Sequence, residues 1–169
     1  MKILLVGEYS RLHNSLKEGL VALGHEVKLI GFQDGFKGYP TDVVFYKKCD
    51  QGILKKIKVL LYHLTGYDIT SYLTFRQFEK VKHLFTNYDV VQLINENSFF
   101  CTPKFEKQLI KYLLYNNKKV YLLSCGDDYV FVKHNFKFPN SKSIVQPYLD
   151  GKILDKDFSN VLKNEKKAK

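Results

Sequence analysis

The fold is decided by residues 1–31, MKILLVGEYSRLHNSLKEGLVALGHEVKLIG. Residues 2–7, KILLVG, contain four consecutive apolar residues followed by glycine, which is typical of a strand buried on both faces. Residues 26–30, EVKLI, predict a second strand. A strand, a crossover helix and a strand within about thirty residues predict a right-handed parallel βαβ unit. The connecting helix is expected to have Ser10 as its N-cap and one apolar face, formed by Leu12, Leu16, Leu20 and Leu23.

The rest of the chain repeats this alternation of strands and helices. Further strands are predicted at residues 42–46, 89–94 and 119–124. Helical patterns lie between them, over residues 52–64, 71–85 and 103–116. The order predicts an α/β fold, a Rossmann-like open, mostly parallel sheet of about five strands with helices on both faces. We expect one domain over residues 1–150 and a basic tail over residues 151–169.

Composition and charge narrow the class of protein. Of the 169 residues, 45% are hydrophobic, too many for a disordered chain and too few for an integral membrane protein. The formal net charge is +10, and 25 of the 27 basic residues are lysine. Proteins that read DNA bases rely on arginine, so we expect no nucleic-acid partner. The first residues lack the apolar core of a signal peptide and the three cysteines form no C-x-x-C pair, so we expect a cytoplasmic protein with reduced thiols.

The polar loops that follow the predicted strands are the candidate site, because ligands of open α/β sheets bind at the carboxyl ends of the strands. The first loop, GEYSRLHN at residues 7–14, leads into a helix N-terminus whose amides are able to bind phosphate. A plain strand-to-helix turn is the equal alternative. The lack of a G-x-G-x-x-G or G-x-x-x-x-G-K-[ST] motif argues against a dinucleotide dehydrogenase or a P-loop NTPase. The candidate substrate-binding residues here are Gly7, Glu8, Arg11 and His13.

Carboxylates follow the fourth and fifth predicted strands. Asp127 and Asp128, directly after Gly126, are the catalytic candidates, because burial beside a strand end suits a carboxylate to act as a base. Aspartates that make turns and cap helices are the alternative. After the fourth strand, a carboxylate between two amides suits sugar hydroxyls or a loop cap, and its residues are Asn95, Glu96 and Asn97.

The predicted helix over residues 52–64 carries an apolar stripe beside Lys55, Lys56 and Lys58 and contains no acidic residue. One interpretation is docking to an anionic membrane surface, with apolar side chains inserted and lysines on the headgroups. The protein would then be peripheral at the inner face of the membrane. The other is a helix packed on the sheet with its lysines in water. We expect the packed helix, because a sheet-covering helix needs the same stripe.

Several of these motifs together resemble a known family. The opening residues 1–31, with Gly-His-Glu-Val starting the second strand, resemble the N-terminal domain of retaining glycosyltransferases of the GT-B fold, group 1/family 4 class. The resemblance continues through GFQDGFKGYPTDVVFY, YDVVQLINENSF and KVYLLSCGDDYV, so it covers residues 1–132. It implies two Rossmann-like domains that face each other across a cleft. In such a pair this domain holds the acceptor, the second binds the nucleotide sugar, and no metal or cofactor is needed.

The resemblance also implies roles for the loops. It assigns residues 7–14 to the donor phosphate and sugar, residues 95–98 to the acceptor, and SCGDDY to the neighbourhood of the reacting sugar, where many members carry a histidine. No donor-binding half follows Lys169, so we expect a fragment, a truncated reading frame or one part of a split enzyme, inactive alone. The predicted function is the acceptor-side domain of a glycosyltransferase that uses a nucleotide-sugar donor and a glycan or lipid-linked acceptor. The alternative is a non-catalytic Rossmann-like module that complements a separate catalytic half.

Overall fold

Five parallel strands form one sheet in the computed structural model of the protein, which describes residues 1–33 and 37–123. The strands are β1 (Lys2–Val6), β2 (Glu26–Gly31), β3 (Val43–Val44), β4 (Val90–Leu93) and β5 (Val120–Leu122). The helices are α1 (Leu12–Ala22), α2 (Gly52–Thr65), α3 (Ile69–Val81) and α4 (Pro103–Asn116), with a 3-10 turn at Lys82–Phe85. The spatial order β3-β2-β1-β4-β5 confirms the predicted α/β, Rossmann-like parallel sheet.

The first strand lies at the centre of the sheet. Ile3 of β1 is in register with Val27 of β2 on one side and with Val90 of β4 on the other. Leu4 and Leu5, whose side chains point to opposite faces of the sheet, are both fully buried. This explains the continuous apolar run, because a strand covered on both faces has no solvent-facing position for a polar side chain.

Each face of the sheet has its own hydrophobic core. On one face Leu4 and Val6 pack with Phe78 of α3 and with Leu109 and Leu113 of α4. On the other face the core residues of β1 and β2 pack against α1, and they are Ile3, Leu5, Val27 and Leu29 with Leu16 and Leu20 of the helix. The helices therefore cover both faces, as the sequence predicts.

The first helix begins differently from the expectation. Its N-cap position is occupied by Arg11, whose φ is 67°, and no side chain of that residue caps the helix. The carboxylate of Glu8 accepts instead from the Asn14 amide, at 2.8 Å. The prediction of Ser10 as N-cap is wrong, because the carboxylate of Glu8, two residues further upstream, reaches the first turn.

The expected packing of α2 on the sheet is also wrong. None of its fourteen residues is buried, and it lies beside α3. Leu61 and Lys58, on one side of the helix, are its only half-buried residues. The apolar stripe that predicts a sheet-covering helix therefore remains in contact with solvent.

Two further points concern the domain boundary and membrane-spanning helices. The domain boundary at residue 150 and the tail at residues 151–169 lie outside the described residues. In the part of the chain that is described, no helix combines the length and the apolarity needed to cross a membrane.

Candidate functional site

The candidate site lies where the chain changes direction in the sheet. The connections from β1 through β2 to β3 run to one side of the central strand, whereas β4 and β5 lie on the other side. The chain therefore continues toward opposite sides of the sheet after β1 and after β4, and ligands of this architecture bind at the carboxyl ends of two such strands. The loops after these strands begin at Gly7 and Ile94, whose amides donate to Ile30 and Val6 at 2.8 and 2.9 Å.

The two loops approach each other closely at Gly7. This residue has a φ of 89°, and a Cβ built on it would overlap the Cγ2 methyl of Ile94 and lie 3.1 Å from its Cβ. The Cβ of Ser98, further along the same loop, would be 3.7 Å away. Glycine is needed here for its backbone conformation and for its lack of a side chain.

The first loop buries two polar side chains, Glu8 and His13, which are 2% and 0% exposed. One carboxylate oxygen of Glu8 accepts from both the backbone and the side-chain amide of Asn14. The His13 Nδ1 lies 2.7 Å from the Gly7 carbonyl oxygen. The other polar atom of each side chain, Glu8 Oε1 and His13 Nε2, is buried without a hydrogen-bond partner. Buried polar atoms are normally paired, so these two are the site's most informative feature.

Burial sets the protonation of His13. Desolvation lowers the pKa of His13 to about 4, and the Gly7 carbonyl offsets this only in part. The imidazole is therefore neutral at physiological pH, with its proton on the Nδ1 that faces the carbonyl oxygen. The Nε2 atom is then a hydrogen-bond acceptor, as is the Oε1 of Glu8.

The loop is better suited to hydrogen-bond donors than to an anion. Glu8 already occupies the Asn14 amide in the first turn of α1, and its carboxylate repels a phosphate. The guanidinium of Arg11 pairs with Glu18 at 2.9 Å. A neutral His13 adds no positive charge. Of the four predicted residues, Gly7, Glu8 and His13 lie together, whereas Arg11 points its charge to the exposed side of α1.

The second loop uses some of its predicted residues for its own structure. The side-chain oxygen of Asn95 accepts from the Asn97 amide at 3.0 Å. The Ser98 hydroxyl donates to the Asn95 carbonyl at 2.7 Å. Glu96 and Asn97 are exposed. Asn95 therefore shapes the loop, and the side chains of Glu96 and Asn97 are the ones accessible to a ligand.

Glu106, a buried carboxylate that was not among the predicted site residues, binds backbone amides of this loop. Glu106, in the first turn of α4, accepts from the amides of Phe99 and Cys101 at 3.0 and 3.2 Å. Burial raises the pKa of Glu106 to about 7, although these amide donors lower it again in part. A lone acidic residue soon after the Thr102-Pro103 helix start was the available signal, because carboxylates favour helix N-termini.

Aromatic side chains form one wall of the carboxyl edge. Phe100 packs edge-on against Tyr9 and Phe32, with ring centroids 5.8 and 5.3 Å apart. The Nζ of Lys47 lies 3.8 Å from the Phe100 ring centroid. Desolvation lowers the pKa of Lys47. Residues that follow β1, β2, β3 and β4 thus meet at one place, a clustering that no local sequence pattern shows.

Backbone strain also concentrates at this edge. A left-handed φ in a residue other than glycine costs about 1–3 kcal/mol and persists where the surroundings enforce it. Among the described residues there are six, of which Cys49 follows β3 by five residues and Asn87 precedes β4. The other four follow β1, β2 or β4, and they are Ser10, Arg11, Gln33 and Phe100. Strained positions of this kind cluster at ligand sites.

The catalytic candidates Asp127 and Asp128 and the substrate-binding candidate Gly126 lie outside the described residues, so their roles stay predictions. In residues 1–33 and 37–123 no group of three His, Cys, Asp or Glu side chains has the arrangement of a metal site.

Comparisons with known proteins complete the description of the site. No protein-family model, no curated protein and no solved structure that was compared with the chain matches it. The family resemblance of the sequence therefore remains a prediction, and any function proposed for the chain rests on the geometry of the site.

Proposed function

We propose that this chain is the acceptor-side domain of a glycosyltransferase, which transfers a sugar from a nucleotide-sugar donor to a glycan or lipid-linked acceptor. Three observations support this function. The sheet has a Rossmann-like order with a switch point between β1 and β4. The motifs over residues 1–132 resemble the N-terminal domain of the GT-B class. The switch-point loops offer hydrogen-bond acceptors rather than positive charges.

The observation that carries the proposal is the pair of unpartnered acceptors in the first loop. A buried acceptor without a donor costs about 1–3 kcal/mol, and a ligand that supplies the donor recovers this free energy. Sugar hydroxyls are suited to the task, because each donates one hydrogen bond and also accepts. In our proposal a rearrangement of the first loop on binding uncovers Glu8 Oε1 and His13 Nε2, and each then accepts from a sugar hydroxyl. Glu96 and Asn97 add exposed polar contacts from the second loop.

The proposal assigns donor binding to a second Rossmann-like domain, as in the class that the sequence resembles. It departs from the resemblance in giving residues 7–14 to the acceptor, because this loop holds unpartnered hydrogen-bond acceptors and its Arg11 is paired with Glu18. Residues 1–169 then contribute acceptor binding and orientation. Asp127 and Asp128 are the proposed carboxylates near the reacting sugar, where a fixed negative charge would stabilise the positive charge that develops on the ring.

A binding experiment tests the proposal. The isotope-labelled chain is titrated with a panel of oligosaccharides and, separately, with UDP-, GDP- and dTDP-sugars, while amide chemical shifts are followed by NMR. We expect oligosaccharides to shift the amides of residues 7–14 and 95–100. Glu8→Gln keeps the size of the side chain and presents an amide donor in place of the unpartnered acceptor. It should weaken binding by about tenfold or more.

The matched control is Glu18→Gln, which removes an exposed carboxylate from α1, the helix that follows the first loop. It should bind as the wild-type chain does. Shifts confined to other surfaces, equal affinities in the two variants, or no response to any sugar in the panels would contradict the proposed function.

A further inference from the structure

The second helix exposes a continuous apolar ridge. Residues spaced four, three and four apart lie along one line of a helix. In α2 this spacing selects four aliphatic side chains that are between 55% and 76% exposed, and they are Ile53, Ile57, Leu60 and Leu64. A large exposed apolar surface of this kind marks an interaction site. We call these four residues the α2 ridge.

The charged side chains of α2 itself are all lysines. No acidic residue occurs from Gln51 to Tyr67. Lys56 borders the ridge by helical geometry, three residues from Ile53 and four from Leu60, whereas Lys58 lies on a different side of the helix. Lys58 is paired with Asp50 at 2.9 Å. Lys56, like Lys55, forms no ion pair with an acidic residue of the described part of the chain and is free to bind an external anion.

We propose that α2 lies in the plane of an anionic membrane surface, with the α2 ridge in the acyl boundary and Lys56 at the lipid phosphates. Helices that bind membranes in this way insert an apolar face and place flanking lysines at the level of the headgroups. The helix is too short and too basic to cross the bilayer, so an in-plane position fits its length.

Charge favours lipid over the other partners for this surface. A second copy packed ridge to ridge would bring like charges together, because α2 contains lysines and no acidic residue. Residues 124–169 are also net basic, with nine lysines and six acidic residues. An anionic lipid surface attracts the lysines electrostatically, and its acyl boundary buries the apolar side chains of the α2 ridge. The proposal does not rest on sugar transfer, and either of the two can fail alone.

Vesicle flotation of the full chain tests the proposal. The chain should float with vesicles of phosphatidylcholine and phosphatidylglycerol at low salt, but not with phosphatidylcholine alone. High salt should release it, because salt screens exposed charges. Ile57→Asp should lower the bound fraction by about tenfold or more, since it places a charge in the acyl boundary. Lys56→Glu should lower it by at least about fivefold.

Matched controls lie on α4. Leu114 is 55% exposed, the same fraction as Ile57, so Leu114→Asp controls for a new surface charge. Lys107 is also exposed, so Lys107→Glu controls for the loss of positive charge. Both controls should float as the wild-type chain does, and circular dichroism of all four variants should match it. Binding to neutral vesicles, no binding at all, unaltered binding of Ile57→Asp, or a dimer that only Ile57→Asp dissociates would overturn the proposal.

Discussion

Replacing Gly7 by alanine tests how closely the two loops approach each other at the switch point. The substitution has two separate costs. The first is backbone strain, because the φ of 89° is unfavourable for any residue with a Cβ. The second is overlap of the new methyl group with the Cγ2 of Ile94. Gly24→Ala isolates the first cost, because Gly24 has a φ of 82° and no atom within 4 Å of a built Cβ.

The two variants differ in expected magnitude. Strain alone should lower the free energy of unfolding of Gly24→Ala by about 1–2 kcal/mol. Overpacking adds about 1–3 kcal/mol, so Gly7→Ala should lose about 2–5 kcal/mol in total. Urea denaturation of the full chain, followed by circular dichroism, measures both values. If the slope of the unfolding free energy against urea concentration is the same in the variants and the wild type, only stability has changed.

A double-mutant cycle then assigns the extra cost to one contact. Ile94→Ala removes the Cγ2 methyl and by itself should cost about 2–5 kcal/mol, as a large-to-small core substitution does. In the double variant the overlap is relieved, so the combined loss should be about 1–3 kcal/mol smaller than the sum of the single losses. Equal stabilities of Gly7→Ala and Gly24→Ala, or strictly additive losses in the cycle, would refute the close approach of these loops.

Two further predictions concern protonation and turnover. His13 titrates near pH 4 in the folded chain and near 6.5 when unfolded, so its contribution of about 3 kcal/mol is full above pH 6.5 and is lost as the pH falls toward 4. Glu106 titrates near 7 when folded and near 4.5 when unfolded, so its similar contribution is lost as the pH rises from 4.5 toward 7. Urea denaturation at a series of pH values should therefore show stability falling with rising pH in His13→Asn and rising with pH in Glu106→Gln, and the same slope in both would contradict this balance. Residues 1–169 alone should release no nucleotide from UDP-, GDP- or dTDP-sugars, because one-sided binding does not align the reacting atoms, and release above the buffer control would show otherwise.

Most strands and helices of the fold could be predicted from the spacing of apolar residues along the chain. The strand predicted at residues 26–30 is β2 with one residue added, because its apolar residues Val27, Leu29 and Ile30 lie between two glycines, Gly24 and Gly31. The strand predicted at residues 42–46 shortens to Val43–Val44. β3 lies at the edge of the sheet, so one of its sides has no partner strand. The local sequence does not indicate that this strand lies at the edge.

The failures occur where tertiary context decides. The apolar stripe of α2 has the same spacing whether the helix covers a sheet or faces solvent. The spacing alone therefore led to the wrong prediction that α2 packs on the sheet. The cap of α1 comes from Glu8, outside the usual N-cap position, and an ordinary serine was the more obvious choice. Glu8 and His13 were predicted from their place after β1, but the burial and missing partners of their outer atoms become visible only in the folded chain.

The central position of β1 has a consequence for how the chain is made. One edge of β1 finds its partner at once, because β2 ends at Gly31. The other edge pairs with β4, which begins at Val90. At ribosomal rates of about 5–20 residues per second, the nascent chain spends about 3–12 s with one half of its middle strand unpaired. A nascent-chain chaperone that shields exposed strand edges therefore has its longest opportunity here, before the two loops of the switch point exist together.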